Sequence, residues 1–264
     1  MVRLRPLRHL LGLAILFFAV ASEAAVPGSP RKEGCHVPDV LLNDKASLPF
    51  TTEAMSHHRP LVIVALGSSS TFGFGATTRT AAYPAVVQRE LSAALGYPVR
   101  VINRGVNGET ISHTAARIPK DVLADHPVLV IWQTGTNDLL HESPGSVNRF
   151  RQVLEDGVHR IRKAGIDVIL MDVQFFPAGE RRPAMNAYLY AIQQVAENYK
   201  VPIIHRHKIM SYWVASGEMT LDGMLYRDNL HMSDRGYRCL GEAVSTFILH
   251  QAAEASHKTV NPER

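Results

Sequence analysis

Leu61-Val-Ile-Val-Ala-Leu66-Gly67-Ser68-Ser69-Ser70-Thr71-Phe72-Gly73-Phe74-Gly75 decides how the rest of the chain is read. Six apolar residues in succession, rich in Val, Ile and Leu, have the pattern of a strand buried on both faces, as parallel sheets require. The run stops at Gly67, and hydroxyl side chains and glycines follow. A serine just past the carboxyl end of such a strand sits where open α/β sheets bind ligands. Three serines compete for that place, and an ordinary Ser/Gly-rich strand-to-helix loop is the plain alternative. A phosphate cradle is a poorer fit, because the stretch lacks both G-K-[ST] and the G-x-G-x-x-G spacing.

Working outward, the same alternation repeats. Tyr83 to Leu95 places apolar residues at helical spacing and ends at Gly96. Val99–Asn103 predicts a second strand, followed by a helix from about Thr110 to Ala124. Val128–Trp132 predicts the third strand, Ser146–Ala164 an amphipathic helix closed by Gly165, and Asp167–Met171 the fourth strand. A helix over Pro183–Tyr199, a fifth strand over Val201–Ile204 and a closing helix over Ser233–His250, N-capped by Ser233, complete the series. Nearly all-apolar strands alternating with helices predict an α/β/α three-layer sandwich around a parallel, doubly wound, five-stranded sheet. The domain is expected to span residues 61–250, with a polar tail that frays over 251–264.

Upstream, Arg3, Arg5 and Arg8 lead into the apolar run Leu10–Val20 and then into small residues. That is the pattern of a secretory signal peptide over residues 1–24, cut after Ala24 or, as an alternative, after Ala21. The apolar run is too short to span a bilayer comfortably, so no membrane span is expected after cleavage. An exported product, periplasmic or secreted, follows. Residues 25–60, rich in turns and carrying Pro27, Pro30, Pro38, Pro49 and Pro60, read as an arm packed on the domain. Residues 1–24 hold three arginines and one acid, so their loss lowers the net charge from +4 to +2. No Lys/Arg block survives to suggest nucleic acid. Cys35 and Cys239, the two cysteines, both remain. In an exported chain an exact pair predicts a disulfide tying the arm to the last helix; Cys239 as a buried thiol is the competing reading.

The strand ends carry the chemistry. Ser69 follows the first strand, Gly108 the second and Asn137 the third, and parallel strands deliver those ends to one edge. Near the carboxyl terminus Asp228-Asn229-Leu230-His231 sets an acid and a histidine three apart before a helix. Ester cleavage on a serine needs a nucleophile, a base, a group to orient that base, and donors for the developing oxyanion.

On these blocks the chain resembles the GDSL or SGNH hydrolases, a family with a flavodoxin-like fold. Gly67-Ser68-Ser69-Ser70-Thr71 matches the first block, Gly105-Val106-Asn107-Gly108 the second, Gly135-Thr136-Asn137-Asp138 the third and Asp228-x-x-His231 the last. The resemblance implies a serine esterase with Ser69, His231 and Asp228 as its triad. It implies an oxyanion hole from the Ser69 and Gly108 N–H groups and the Asn137 amide. It requires no cofactor and no metal, and the expected substrate is a small ester or an acylated carbohydrate. A carbohydrate O-acetyl esterase, a lysophospholipase or thioesterase, an O-acyltransferase and a non-catalytic module on the same fold are all compatible with the motifs. One position departs: Ser68 stands where the family usually has Asp.

Other residues are expected to be structural. His205-x-His207 reads as a surface pair, His113 as a solvated helix residue and Asp138 as a loop-structuring side chain. Trp132, Phe175, Phe176 and Trp213 fit an acyl pocket or the core.

Overall fold

The structure, a computed structural model, describes residues 34–260, with side chains through residue 252. The expected signal segment and the start of the arm lie outside those residues. Five parallel strands, β1 (Leu61–Gly67), β2 (Val99–Gly105), β3 (Leu129–Gln133), β4 (Asp167–Met171) and β5 (Ile203–Ile204), are ordered β2-β1-β3-β4-β5. Register runs from Leu61 opposite Val99 to Gly67 opposite Gly105, and from Ile63 opposite Leu129 to Leu66 opposite Trp132. Strand order reverses at β1, and the crevice at that switch point opens beyond the carboxyl ends of β1 and β3. Ile63, Val64, Ala65, Leu66 and all of β3 are buried, the double-sided burial that the apolar runs predict.

The principal helices are α1 (Pro49–Ser56), α2 (Tyr83–Leu95), α3 (Ile111–Ala116), α4 (Ser146–Lys163), α5 (Met185–Tyr199), α6 (Arg206–Ala215) and α7 (Asp234–Val260). They cover both sides of the sheet: α1 and α2 pack against α7, while α4 packs against α3 and α5. Ser233 caps α7 as expected, its Oγ accepting the Gly236 N–H at 3.1 Å.

Three expectations are corrected. The helix foreseen over 110–124 breaks after Ala116 into short turns over Ile118–Asp121 and Leu123–Asp125. Pro119 has no N–H to return to Ala115, which ends the α3 ladder. The closing helix runs on past His250 to Val260. The arm also contains a helix, α1, that its turn-rich composition hid. Thr51 of α1 donates its N–H (2.7 Å) and its hydroxyl (2.9 Å) to Asp167 Oδ2 at the buried start of β4. Burial raises the Asp167 carboxyl above its ordinary range, and the Thr51 donors oppose that shift. Val37, Leu42, Leu48 and Ala54 of the arm are buried in the main core. The disulfide Cys35–Cys239 is present, with Cα atoms 4.9 Å apart, and joins the arm to α7.

Candidate active site

Ser69 opens a single helical turn, Ser69–Phe72, immediately beyond β1. The turn is tight because Gly67 allows it. A Cβ there would lie 2.3 Å from Thr71 Oγ1 and 2.7 Å from Gln133 Oε1. Gln133, the last residue of β3, accepts from the Ser68 N–H (2.9 Å), the Ser68 hydroxyl (3.1 Å) and the Thr71 hydroxyl (3.2 Å). Ser68 is therefore a donor to a buried carbonyl oxygen, and a carboxylate in its place would set acceptor against acceptor. Ser70 is also buried, its hydroxyl donating to Gln174 Oε1 at 2.8 Å. Of the three serines only Ser69 faces the site: its Oγ lies 2.8 Å from His231 Nε2.

The base side is built from one short segment. Asp228 Oδ2 lies 2.7 Å from His231 Nδ1, and Asp228 Oδ1 accepts the N–H groups of Leu230 (3.0 Å) and His231 (2.9 Å). Asn229 between them adopts φ 54°, a conformation that asparagine tolerates better than most residues. Burial pushes the Asp228 carboxyl up. The His231 ring and the two backbone donors outweigh it, so the carboxyl ends below its ordinary range. An ionised carboxylate on Nδ1 fixes the tautomer whose Nε2 lone pair can take a proton from Ser69.

The residues expected to donate to an oxyanion come from two loops. Gly108 is exposed after β2, and Asn137 is half-buried in the short helix Thr136–Leu140 after β3. Asn137 Nδ2 donates to Glu109 O at 2.8 Å, which leaves the second amide hydrogen for another acceptor. The next residue repeats the staple: both Asp138 oxygens lie 3.1 Å from the Ile111 N–H. Burial raises the Asp138 carboxyl to about 6, against the Ile111 donor and the nearby His113 and His141. Glu109 also pairs with Arg117 at 2.6 Å, and Arg117 binds Asp121 and donates to Arg104 O. Ser69 heads its turn, so its N–H has no acceptor within that turn.

Asp138 is the loop-structuring residue the sequence suggests. His113 is not simply solvated: it forms a capping box with Thr110 at the start of α3. His205 and His207 share no ligand geometry; Nδ1 of His205 faces Asp172 (3.4 Å) and Nε2 of His207 faces Glu180 (2.7 Å). Among the described residues the single grouping with metal-like spacing is Cys35, Cys239 and Glu242, whose cysteines are joined in the disulfide. Trp132, Phe176 and Trp213 are core residues, and Phe175 is partly buried.

Three residues escaped the sequence reading. Gln133 at the end of β3 and Gln174 in the loop after β4 hold the Ser69 turn, and Gln174 Nε2 also donates to Leu230 O at 2.6 Å. A glutamine closing an otherwise apolar strand is the signal that could have found Gln133. Arg206 is wholly buried, donating to Asp172 O (3.1 Å) and to Thr136 Oγ1 (3.4 Å) beside Asn137. Burial lowers its guanidinium to about 10, so it stays charged at neutral pH.

A cavity of about 500 Å³ borders the base segment, lined by Leu140, Phe176, Pro177, Asp228 and Leu230. A larger one, about 620 Å³, lies beside β5 among Asp44, Lys45, Gln193, Glu197 and His205, and touches none of the residues around Ser69. Chemistry, not cavity size, locates the site.

A family model described as the non-GDSL lipase-like family matches residues 34–254. The chain is 26% identical over 192 residues to an esterase, TesA, of Pseudomonas aeruginosa, covering 73% of this chain and 88% of that protein. It is 27% identical over 218 residues to an acetylxylan esterase of Xylanibacter ruminicola, covering 70% of this chain but 42% of that protein. A lipase/acylhydrolase from Enterococcus faecalis has a solved structure that matches with a TM-score of 0.61 at 29% identity. The match covers 74% of this chain and 96% of that one. The chain belongs to the non-GDSL lipase-like family, and with it to the ester-bond hydrolases. That description departs from the GDSL label that the motifs suggest.

Proposed function

We propose that this member of the non-GDSL lipase-like family is an exported serine esterase that removes acyl groups from carbohydrates through an acyl-enzyme on Ser69. The observation that carries the reading is the continuous line Ser69 Oγ, His231 Nε2, His231 Nδ1, Asp228 Oδ2, with links of 2.8 and 2.7 Å. His231 takes the Ser69 proton as Oγ attacks the ester carbonyl, and the Asp228 carboxylate stabilises the imidazolium that results. The Ser69 and Gly108 N–H groups and the free Asn137 hydrogen receive the oxyanion. As the acyl C–O bond breaks, His231 returns the proton to the departing alcohol oxygen. Water then repeats the cycle on the acyl-enzyme, releasing the acid and restoring Ser69.

Export is supported by the basic-then-apolar pattern over residues 1–24 and by the disulfide, a bond that persists in oxidising compartments. Carbohydrate as the alcohol is supported by the acetylxylan esterase among the relatives. Ser69→Ala should lower turnover of p-nitrophenyl acetate by at least about a thousandfold. A fluorophosphonate probe should label Ser69 alone; label on Ser68 or Ser70 would refute the assignment. N-terminal sequencing of exported protein should begin at Ala25, and an uncut Met1 would refute export by cleavage.

A further inference from the structure

Among the described residues few large apolar side chains are exposed, and three of them, Phe72, Phe74 and Val106, flank the nucleophile turn. Phe74 is held with unusual care for an exposed ring. Its N–H donates to Ser69 O at 2.9 Å and its carbonyl accepts the Tyr237 hydroxyl at 2.7 Å. Gly73 and Gly75 on either side adopt φ 96° and 90°, in the left-handed region that favours glycine. A Cβ on Gly75 would come within 2.7 Å of Met232 O and 3.0 Å of Tyr226 Cβ, so this turn is pressed onto the His231 loop.

The consequence is an aromatic face beside the base. The Phe74 ring centroid lies 4.4 Å from that of His231, tilted by 43°, and meets Tyr226 edge-on at 6.4 Å. The Arg227 guanidinium stacks over the Tyr226 ring at 5.0 Å. Phe74 nevertheless remains 42% exposed. Core packing does not account for a ring that is fixed by its backbone yet left open to solvent.

Proton delivery says what must lie there. The departing alcohol oxygen has to come within roughly 3 Å of His231 Nε2 to receive its proton. The carbons of that alcohol then lie over the neighbouring ring, away from the oxyanion donors on Gly108 and Asn137. We propose that Phe74, backed by Tyr226, is the platform for the alcohol half of the ester, and that it selects alcohols with a flat, apolar ring face such as a pyranose. The weakly positive C–H groups of such a ring meet the negative face of the aromatic system. This assignment rests on Ser69 and His231 acting as described above.

The test varies the alcohol while the acyl group stays acetyl. The purified exported chain is given a methyl pyranoside acetate, ethyl acetate and p-nitrophenyl acetate, with Phe74→Ala and Phe74→Tyr alongside. The kcat/KM ratio of pyranoside acetate to ethyl acetate should fall about tenfold in Phe74→Ala, chiefly through KM, and recover in Phe74→Tyr. Equal losses on both acetates would reduce Phe74 to a spacer for His231 and overturn the platform. So would a native chain that cleaves p-nitrophenyl acetate but does not favour the pyranoside acetate over ethyl acetate. No cleavage of p-nitrophenyl acetate together with no fluorophosphonate label on Ser69 would instead bring down the esterase reading itself, and this inference with it.

Discussion

The two sides of Ser69 are built on different principles. On the base side Asp228 and His231 come from one segment, and the carboxylate binds both the His231 ring and its N–H within three residues. On the proposed oxyanion side Gly108 and Asn137 come from separate loops. Their relative position depends on two bonds that span 28 and 27 residues, Asn137 to Glu109 and Asp138 to Ile111. A locally closed unit keeps its geometry wherever the loop moves, whereas a stapled pair keeps its geometry only while both staples hold. The base side is thus expected to fail chemically when altered, and the oxyanion side to fail through position as well.

The largest expected effect lies on the base side. His231→Ala should cut kcat on p-nitrophenyl acetate by on the order of a thousandfold to a millionfold, because it removes the ring nitrogen that lies on Ser69 Oγ. Thermal unfolding should move little, since the segment's backbone bonds to Asp228 remain; a large drop in melting temperature would mean that the side chain is structural. Next comes Asn137→Ala, expected to lower kcat by about a hundred- to a thousandfold through loss of one oxyanion donor. It also frees Glu109 O, so the loop after β2 should become more accessible to protease. A rise in KM with kcat unmoved would make Asn137 a substrate contact and dissolve the contrast.

This asymmetry also explains what the sequence revealed. The D-x-x-H spacing and the strand ends were legible because each is a local pattern, whereas the choice of Ser69 among three adjacent serines came only from the register of the family resemblance. The sheet was legible for the same reason: β1 is a continuous apolar run, β3 and β4 are apolar but for Gln133 and Asp167 at their ends, and polar Arg100, Asn103 and Arg104 enter only in the edge strand β2. Gln133, Gln174 and Arg206 were not. Their meaning lies in partners far away in sequence, such as Gln174 bridging Ser70 and Leu230, and no periodicity encodes such a pairing. The helix expected over 110–124 failed for a nearer reason: its apolar spacing outweighed Pro119 in the reading but not in the backbone.

The Asp138 staple gives a smaller effect with a definite pH signature. Its carboxyl is raised from 3.8 to about 6, so the folded chain holds a proton that the unfolded chain releases. Stability therefore falls as pH rises between about 4 and 6 and is level above, by up to about 3 kcal/mol for a shift of this size. Asp138→Asn keeps the shape without the titration. Wild type measured against it by urea unfolding should lose relative stability across that window. A constant difference from pH 4 to 8 would show that Asp138 titrates in its ordinary range and that its staple is electrostatically neutral.

The smallest expected effect tests a buried residue that joins the nucleophile turn to the base segment. Gln174 is fully buried, accepts from Ser70 Oγ and donates to Leu230 O, the residue before His231. It touches neither reacting atom, so any influence on rate must pass through the distance between Ser69 and His231. Gln174→Leu removes both bonds and leaves a hydroxyl and a carbonyl without partners, while Gln174→Glu retains an acceptor for Ser70. Misplacing a nucleophile by a fraction of an ångström is enough to slow attack, and kcat should fall about ten- to a hundredfold in Gln174→Leu with KM nearly unchanged. The rate of fluorophosphonate labelling at Ser69 should fall in parallel, because it depends on the same serine–histidine contact. Gln174→Glu should recover part of both. If labelling is unchanged while melting temperature drops, Gln174 supports the fold alone, and the base side is as self-contained as its local bonds make it.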